Sequence, residues 1–143
     1  MVQSKNIDKI KERGYNKASI IERYIKRINE EYDGNPENLR NYTKQDSIIL
    51  NVQRACEACI DLAMNIVAEK SLGIPQNSRD DFELLYANGY IEKELNEKLK
   101  ATVGFRNIVL HDYQAVNLKI VKKIIEVHLE DMKEFSRVIL QSM

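Results

Sequence analysis

The sequence predicts an all-α protein, an up-and-down antiparallel bundle of four to five helices. Three observations carry that expectation. Apolar residues recur at three- and four-residue spacing along nearly the whole chain. Only two prolines and five glycines interrupt its 143 residues, too few for strands joined by tight turns. The connections between periodic stretches are short, which sets consecutive helices side by side in opposite directions. The length suits one domain, 1–143, with enough chain to bury a hydrophobic core.

Each element has its own signal. "NIDKIKERG" (6–14) predicts a short helix ending at Gly14. "SIIERYIKRINEEY" lines up Ile20, Ile21, Tyr24, Ile25, Ile28 and Tyr32, and the turn formers "DGNP" (33–36) stop it. Thr43, with Asp46 three residues on, is a weak variant of a capping box. It opens a helix from about Lys44 to about Lys70, roughly 40 Å long. Ile49, Val52, Cys56, Cys59, Ile60, Ala63 and Val67 stripe that helix, and "SLGIP" closes it, with Gly73 suited to a left-handed cap. Ser78 and Asp81 open "RDDFELLYAN", which ends at Gly89. A further helix from near Ile91 carries Leu95, Leu99 and Val103 into "GFRNIVLHDY" (104–113). The last starts at about Asn117, with Ile120, Ile124, Val127, His128, Met132, Phe135 and Ile139 along its apolar face.

Composition limits the function classes. Lysine plus arginine and aspartate plus glutamate both number 22, so bulk charge does not announce a nucleic-acid binder. Binding of nucleic acid would need a local site or a surface assembled by association. No apolar run approaches the roughly 20 residues that span a bilayer, and the start lacks the apolar core of a signal peptide. The expectation is a soluble, cytoplasmic protein without membrane contact, its two cysteines reduced.

The stretch "RNIVLHDY" concentrates chemistry. On an ideal helix Arg106 and Tyr113 fall within about 20° of each other, while His111 lies about 140° from Arg106. A straight helix therefore does not aim both groups at one point. Either Arg106 uses its length, or the helix loosens near His111 and Asp112, or a second subunit completes the site. Asp112, a poor interior helix residue, favours loosening. The plain alternative is that Arg106 pairs with a carboxylate such as Glu57, His111 caps a helix end and Tyr113 packs its ring.

"VGFRNIVLHDY" (103–113) resembles the signature of the HEPN superfamily: an arginine, four residues, then a histidine, with the further tyrosine of the HepT-type toxins. "NVQRACEACIDLAMNIVAEKSLGIP" and "LKATVGFRN" resemble the same branch, so the likeness spans roughly residues 44–135. The resemblance implies a metal-independent endoribonuclease toxin, a homodimer with two motifs facing one cleft. Its substrate would be tRNA or mRNA, and its partner a nucleotidyltransferase antitoxin of the MNT type that adds AMP to Tyr113. Arg106 and His111 would be the catalytic pair, with Asn107 and Asp112 in support, and neither metal nor cofactor. The residue types suit that chemistry. Histidine moves protons near neutral pH, and arginine presents a planar fork to phosphate oxygens. A non-catalytic helical partner of a nucleotidyltransferase is the alternative.

Other candidates rank lower. Cys56 and Cys59 have CxxC spacing, but both lie on the apolar stripe of a helix interior and no second CxxC exists. Zinc would lack ligands, and a redox pair would want a helix N-terminus. His128 reads as a packed or interfacial side chain. Lys119, Lys122 and Lys123 follow the motif and either steer RNA or form a solvated face. Tyrosines 15, 24, 32, 42, 86 and 90 read as packing or surface rings.

Overall fold

The computed structural model describes the backbone of residues 2–142 and the side chains of residues 12–142. Helix α1 (Val2–Tyr32) leads through a 3-10 turn (Pro36–Arg40) into α2 (Tyr42–Glu69). Then come α3 (Ser78–Ala87), α4 (Lys93–His111) and a second 3-10 turn (Tyr113–Ala115). The chain ends in one continuous rod: α5 (Leu118–Lys123), a π-helical turn (Ile124–His128) and α6 (Leu129–Gln141). The described residues contain no strand, so the all-α expectation holds.

Gly14 does not end a helix; α1 runs through it. The buried residues Gly14, Ala18, Ile21, Ile25, Ile28 and Tyr32 alternate spacings of four and three, so the glycine sits on the packed stripe. A helix-interior glycine costs only about 1 kcal/mol relative to alanine, less than the burial of one large apolar side chain returns. The helix stops where expected, with Asp33 and Gly34 both at positive φ (51° and 64°).

Helix α2 is the centre of the bundle. It carries buried residues on several faces, packs along most of α1, and touches α3, α4 and α6. Its cap is Asn41, not Thr43: Asn41 Oδ1 accepts from the Lys44 backbone N–H at 3.1 Å. Asp46 is thereby free for another role. At the far end Ser71, not Gly73, takes the left-handed position (φ 52°). The Leu72 and Ser71 amides donate to the carbonyls of Val67 and Ala68, the paired bonds of a Schellman cap. Gly73 still has a φ of 148°, which L side chains rarely adopt, and it packs against Leu84 of α3, where a Cβ would lie 2.9 Å from Cδ2.

Helix α3 is capped by Asn77, whose Oδ1 accepts from the Asp80 amide at 3.0 Å. Ser78 therefore becomes the first helical residue with its hydroxyl uncommitted to the cap. Gly89 (φ 81°) ends the helix as expected. Phe82 of α3 meets Phe135 of α6 edge-on, with ring centroids 5.5 Å apart, both fully buried. In the final rod Asn117 caps α5, but periodicity alone did not foretell the π turn. Just beyond that turn, buried Asp131 accepts from His128 Nδ1 at 2.9 Å and pairs with Lys98 of α4 at 3.6 Å, tying the rod to the motif helix. Among the described residues, no helix is long and apolar enough to cross a membrane.

Candidate active site

The motif straddles the C-terminal end of α4. His111 is the last helical residue, and Asp112 leaves helical geometry (φ −154°, ψ 83°) before the Tyr113–Ala115 turn. The helix does loosen, but one residue too late to swing His111 toward Arg106. Turning by about 100° per residue, Arg106 shares the inward side of α4 with buried Leu99 and Val103, while His111 points out, nearer exposed Ile108.

Arg106 is partly buried, and its Nη2 donates to Ser78 Oγ at 3.1 Å. No carboxylate among the described residues lies within ion-pair range, and Nε is buried without a hydrogen-bond partner. Glu57, the plausible partner on sequence grounds, instead accepts from Gln53 on its own helix. The guanidinium is close enough to Cys56 to oppose the rise of that thiol, which burial nevertheless pushes to about 12. Arg106 is thus a cation positioned by a neutral hydroxyl, with donors to spare.

His111 is exposed at the helix end, and Asp112 makes no hydrogen bond to it within the single chain. Asn107 is half-buried on the same outward side of α4. Tyr113 folds back on α2, where its hydroxyl donates to Asp46 Oδ1 at 2.7 Å. Burial raises the phenol, and the Asp46 hydrogen bond and charge raise it further, to about 12. The ring still keeps 42% of its surface exposed, open to approach by another molecule.

Beside the motif runs an apolar groove of about 360 Å³ between α4 and the final rod. Gly104, Phe105 and Ile108 form one wall, and Ile120, Ile124 and His128 the other. Ile108 and Ile120, on facing walls, are 41% and 45% exposed, and Leu110 and Val127 on the same two elements are exposed as well. Lys119, Lys122 and Lys123 are exposed along the same rod.

Two participants escaped sequence reasoning in these roles, Ser78 and Asp46. Both appeared only as helix-start residues, and nothing in their spacing links them to positions 28 and 67 residues away. Conversely, Cys56 and Cys59 are free, buried thiols in the α2 core. Burial raises both, so neither offers a ready thiolate.

The family profile described as Ribonuclease HepT-like matches residues 21–139, most of the chain and all of the motif. The chain belongs to the HepT-like ribonucleases. It is 50% identical over 124 residues to the mRNA nuclease HepT of Shewanella oneidensis, covering 87% of this chain and 93% of that protein. It is also similar to the solved structure of the tri-AMPylated Shewanella oneidensis HEPN toxin in complex with MNT antitoxin. There the TM-score is 0.84 at 48% identity, over 91% of this chain and 97% of that one. A toxin–antitoxin structure with AMP-PNP gives the same TM-score and identity, over 91% and 98% of the two chains. The activity class of this HepT-like ribonuclease is RNA cleavage, and its helical architecture is that of HEPN toxins.

Proposed function

We propose that this chain is the toxin of a toxin–antitoxin pair, which cleaves messenger RNA without a metal in a cleft between two of its copies. In this reading Arg106 and His111 of each copy react, and a nucleotidyltransferase antitoxin silences the enzyme by adding AMP to Tyr113. The observation that carries it is the state of Arg106. A guanidinium with a buried, unpartnered Nε and no carboxylate lacks the counter-charge that usually accompanies a buried cation. A phosphate supplies that charge. The apolar groove with Ile108 and Ile120 supports association of two copies beside the motif, which would offset the divergence of Arg106 and His111 within one. The relative's name, mRNA nuclease, favours messenger over transfer RNA.

Cleavage then needs three things. The ribose 2′-hydroxyl loses a proton as it attacks the neighbouring phosphorus, the leaving 5′-oxygen gains one, and the extra negative charge at phosphorus is held. Two His111 imidazoles, one per copy, divide the base and acid roles, each worth about 10²–10⁴-fold. Arg106 binds the phosphate oxygens and stabilises the charge that builds on them. Asn107 adds a hydrogen bond to the same group, while Asp112, which makes no hydrogen bond to His111 in one chain, would support that ring only in the assembled pair. AMP on Tyr113 would place a permanent phosphate in the cleft, satisfying Arg106 and occupying the substrate's space.

The test is cleavage of messenger RNA by purified, unmodified chain. Wild type should cleave, while Arg106→Ala and His111→Ala should be inactive and harmless on expression. A wild type that leaves RNA intact and is itself harmless would overturn the reading, in favour of a non-catalytic partner of a nucleotidyltransferase.

A further inference from the structure

Tyr113 is held by a single polar partner, and that partner is suited to more than holding. Asp46 lies in the second turn of α2, its own helix capped by Asn41, and it forms no ion pair among the described residues. Its Oδ1 takes the Tyr113 phenolic hydrogen at 2.7 Å. That contact uses the hydroxyl's one hydrogen and leaves the phenolic oxygen's lone pairs uncommitted, on a side chain that remains 42% exposed.

We propose that Asp46 is the proton acceptor for nucleotide transfer to Tyr113, so that the target chain supplies part of the chemistry of its own modification. This rests on the reading that Tyr113 is the modified residue. A phenolic lone pair forms a bond to the α-phosphorus of ATP, and the bond from that phosphorus to the bridging oxygen of the β-phosphate breaks. Pyrophosphate leaves with the electron pair, and the phenolic proton passes to Asp46 Oδ1 and then to solvent. The arrangement matters because the free phenol ionises far above neutral pH. Burial, and after it the hydrogen bond and charge of Asp46, push Tyr113 to about 12, so preformed phenolate is scarce and the proton must leave during attack. A carboxylate already hydrogen-bonded to the nucleophile is the arrangement general base catalysis requires. Once AMP is attached, the ester oxygen has no hydrogen to donate and the new phosphate faces the Asp46 carboxylate. The Tyr113–Ala115 turn then loses its tie to α2.

The experiment mixes the full-length chain with its cognate nucleotidyltransferase and ATP and follows AMP incorporation at residue 113 by mass. Asp46→Asn should slow incorporation about 100-fold at pH 7, with the rate rising with pH as phenolate takes over, whereas wild type stays nearly flat. Asp46→Glu, which keeps the carboxylate, should recover part of the rate. Size-exclusion of each variant with the partner fixes whether the complex still forms. An Asp46→Asn chain modified at the wild-type rate, or with the wild-type pH profile, would overturn the proposal. A wild type that receives no AMP at residue 113 would instead remove the reading beneath it.

Discussion

Arg106 of α4 and Ser78 of α3 are joined across 28 residues by one hydrogen bond, 3.1 Å from Nη2 to Oγ. That bond exists because Asn77 caps α3 and leaves the serine hydroxyl free. A neutral acceptor positions the guanidinium without cancelling its charge, which an aspartate in the same place would do.

Replacing Ser78 by alanine should therefore weaken catalysis while leaving the bundle folded. A hydrogen bond to a charged group is worth about 1.5–3 kcal/mol, so kcat on RNA should fall roughly tenfold or more. Ser78→Thr, which keeps an oxygen on Cβ, should restore most of it. Steady-state cleavage by the three proteins, with circular dichroism as a control for folding, checks this. Equal kcat in Ser78→Ala would mean that Arg106 finds its position unaided.

The apolar groove yields a second expectation. Ile120→Asp places a carboxylate on the exposed wall of the α4–α5 groove, where a second copy would have to desolvate it. The variant should sediment as a monomer and lose RNA cleavage together with dimerisation. A monomer with full activity would separate the chemistry from association and return the whole reaction to one chain.

Asp81 should make stability depend on mildly acidic pH. It is 3% exposed, its Oδ1 has no partner, and burial with help from Asp80 raises its pKa from 3.8 to about 6. A raised carboxyl pKa means that the folded chain holds the proton more tightly than the unfolded one. The contribution is therefore fully present below about pH 4 and is lost as pH rises through about 6. Asp81→Asn should remove that slope and stabilise the protein at pH 7.5 by about 1–2 kcal/mol. Urea denaturation from pH 4 to 8 measures both. A steeper fall in the variant would contradict the assignment.

The contact between Phe82 and Phe135 holds the short α3 onto the final rod. Phe82→Ala should cost about 3–5 kcal/mol by loss of burial and the cavity left behind. Because α3 carries Ser78, cleavage should fall at temperatures where the variant is still folded. Thermal melts and activity measured in parallel test whether the two losses coincide.

The sequence by itself determined the class of the fold, most helix boundaries and the segment proposed to carry the chemistry. Those properties are local. Three- and four-residue apolar spacing fixes which face is buried, and "DGNP", Gly89 and Asn117 act on the backbone beside them. The boundaries that shifted did so where two neighbours compete for one local role. Asn41 displaced Thr43 as a cap, Ser71 displaced Gly73, and packing carried α1 through Gly14. Only the tertiary structure decided that Arg106 faces inward to Ser78 with no carboxylate in range, that the Tyr113 hydroxyl donates a hydrogen bond to Asp46, and that an apolar groove lies open beside the motif. Such pairings depend on how α2, α3 and α4 are set against one another, and helical periodicity specifies a buried face without naming what it will meet.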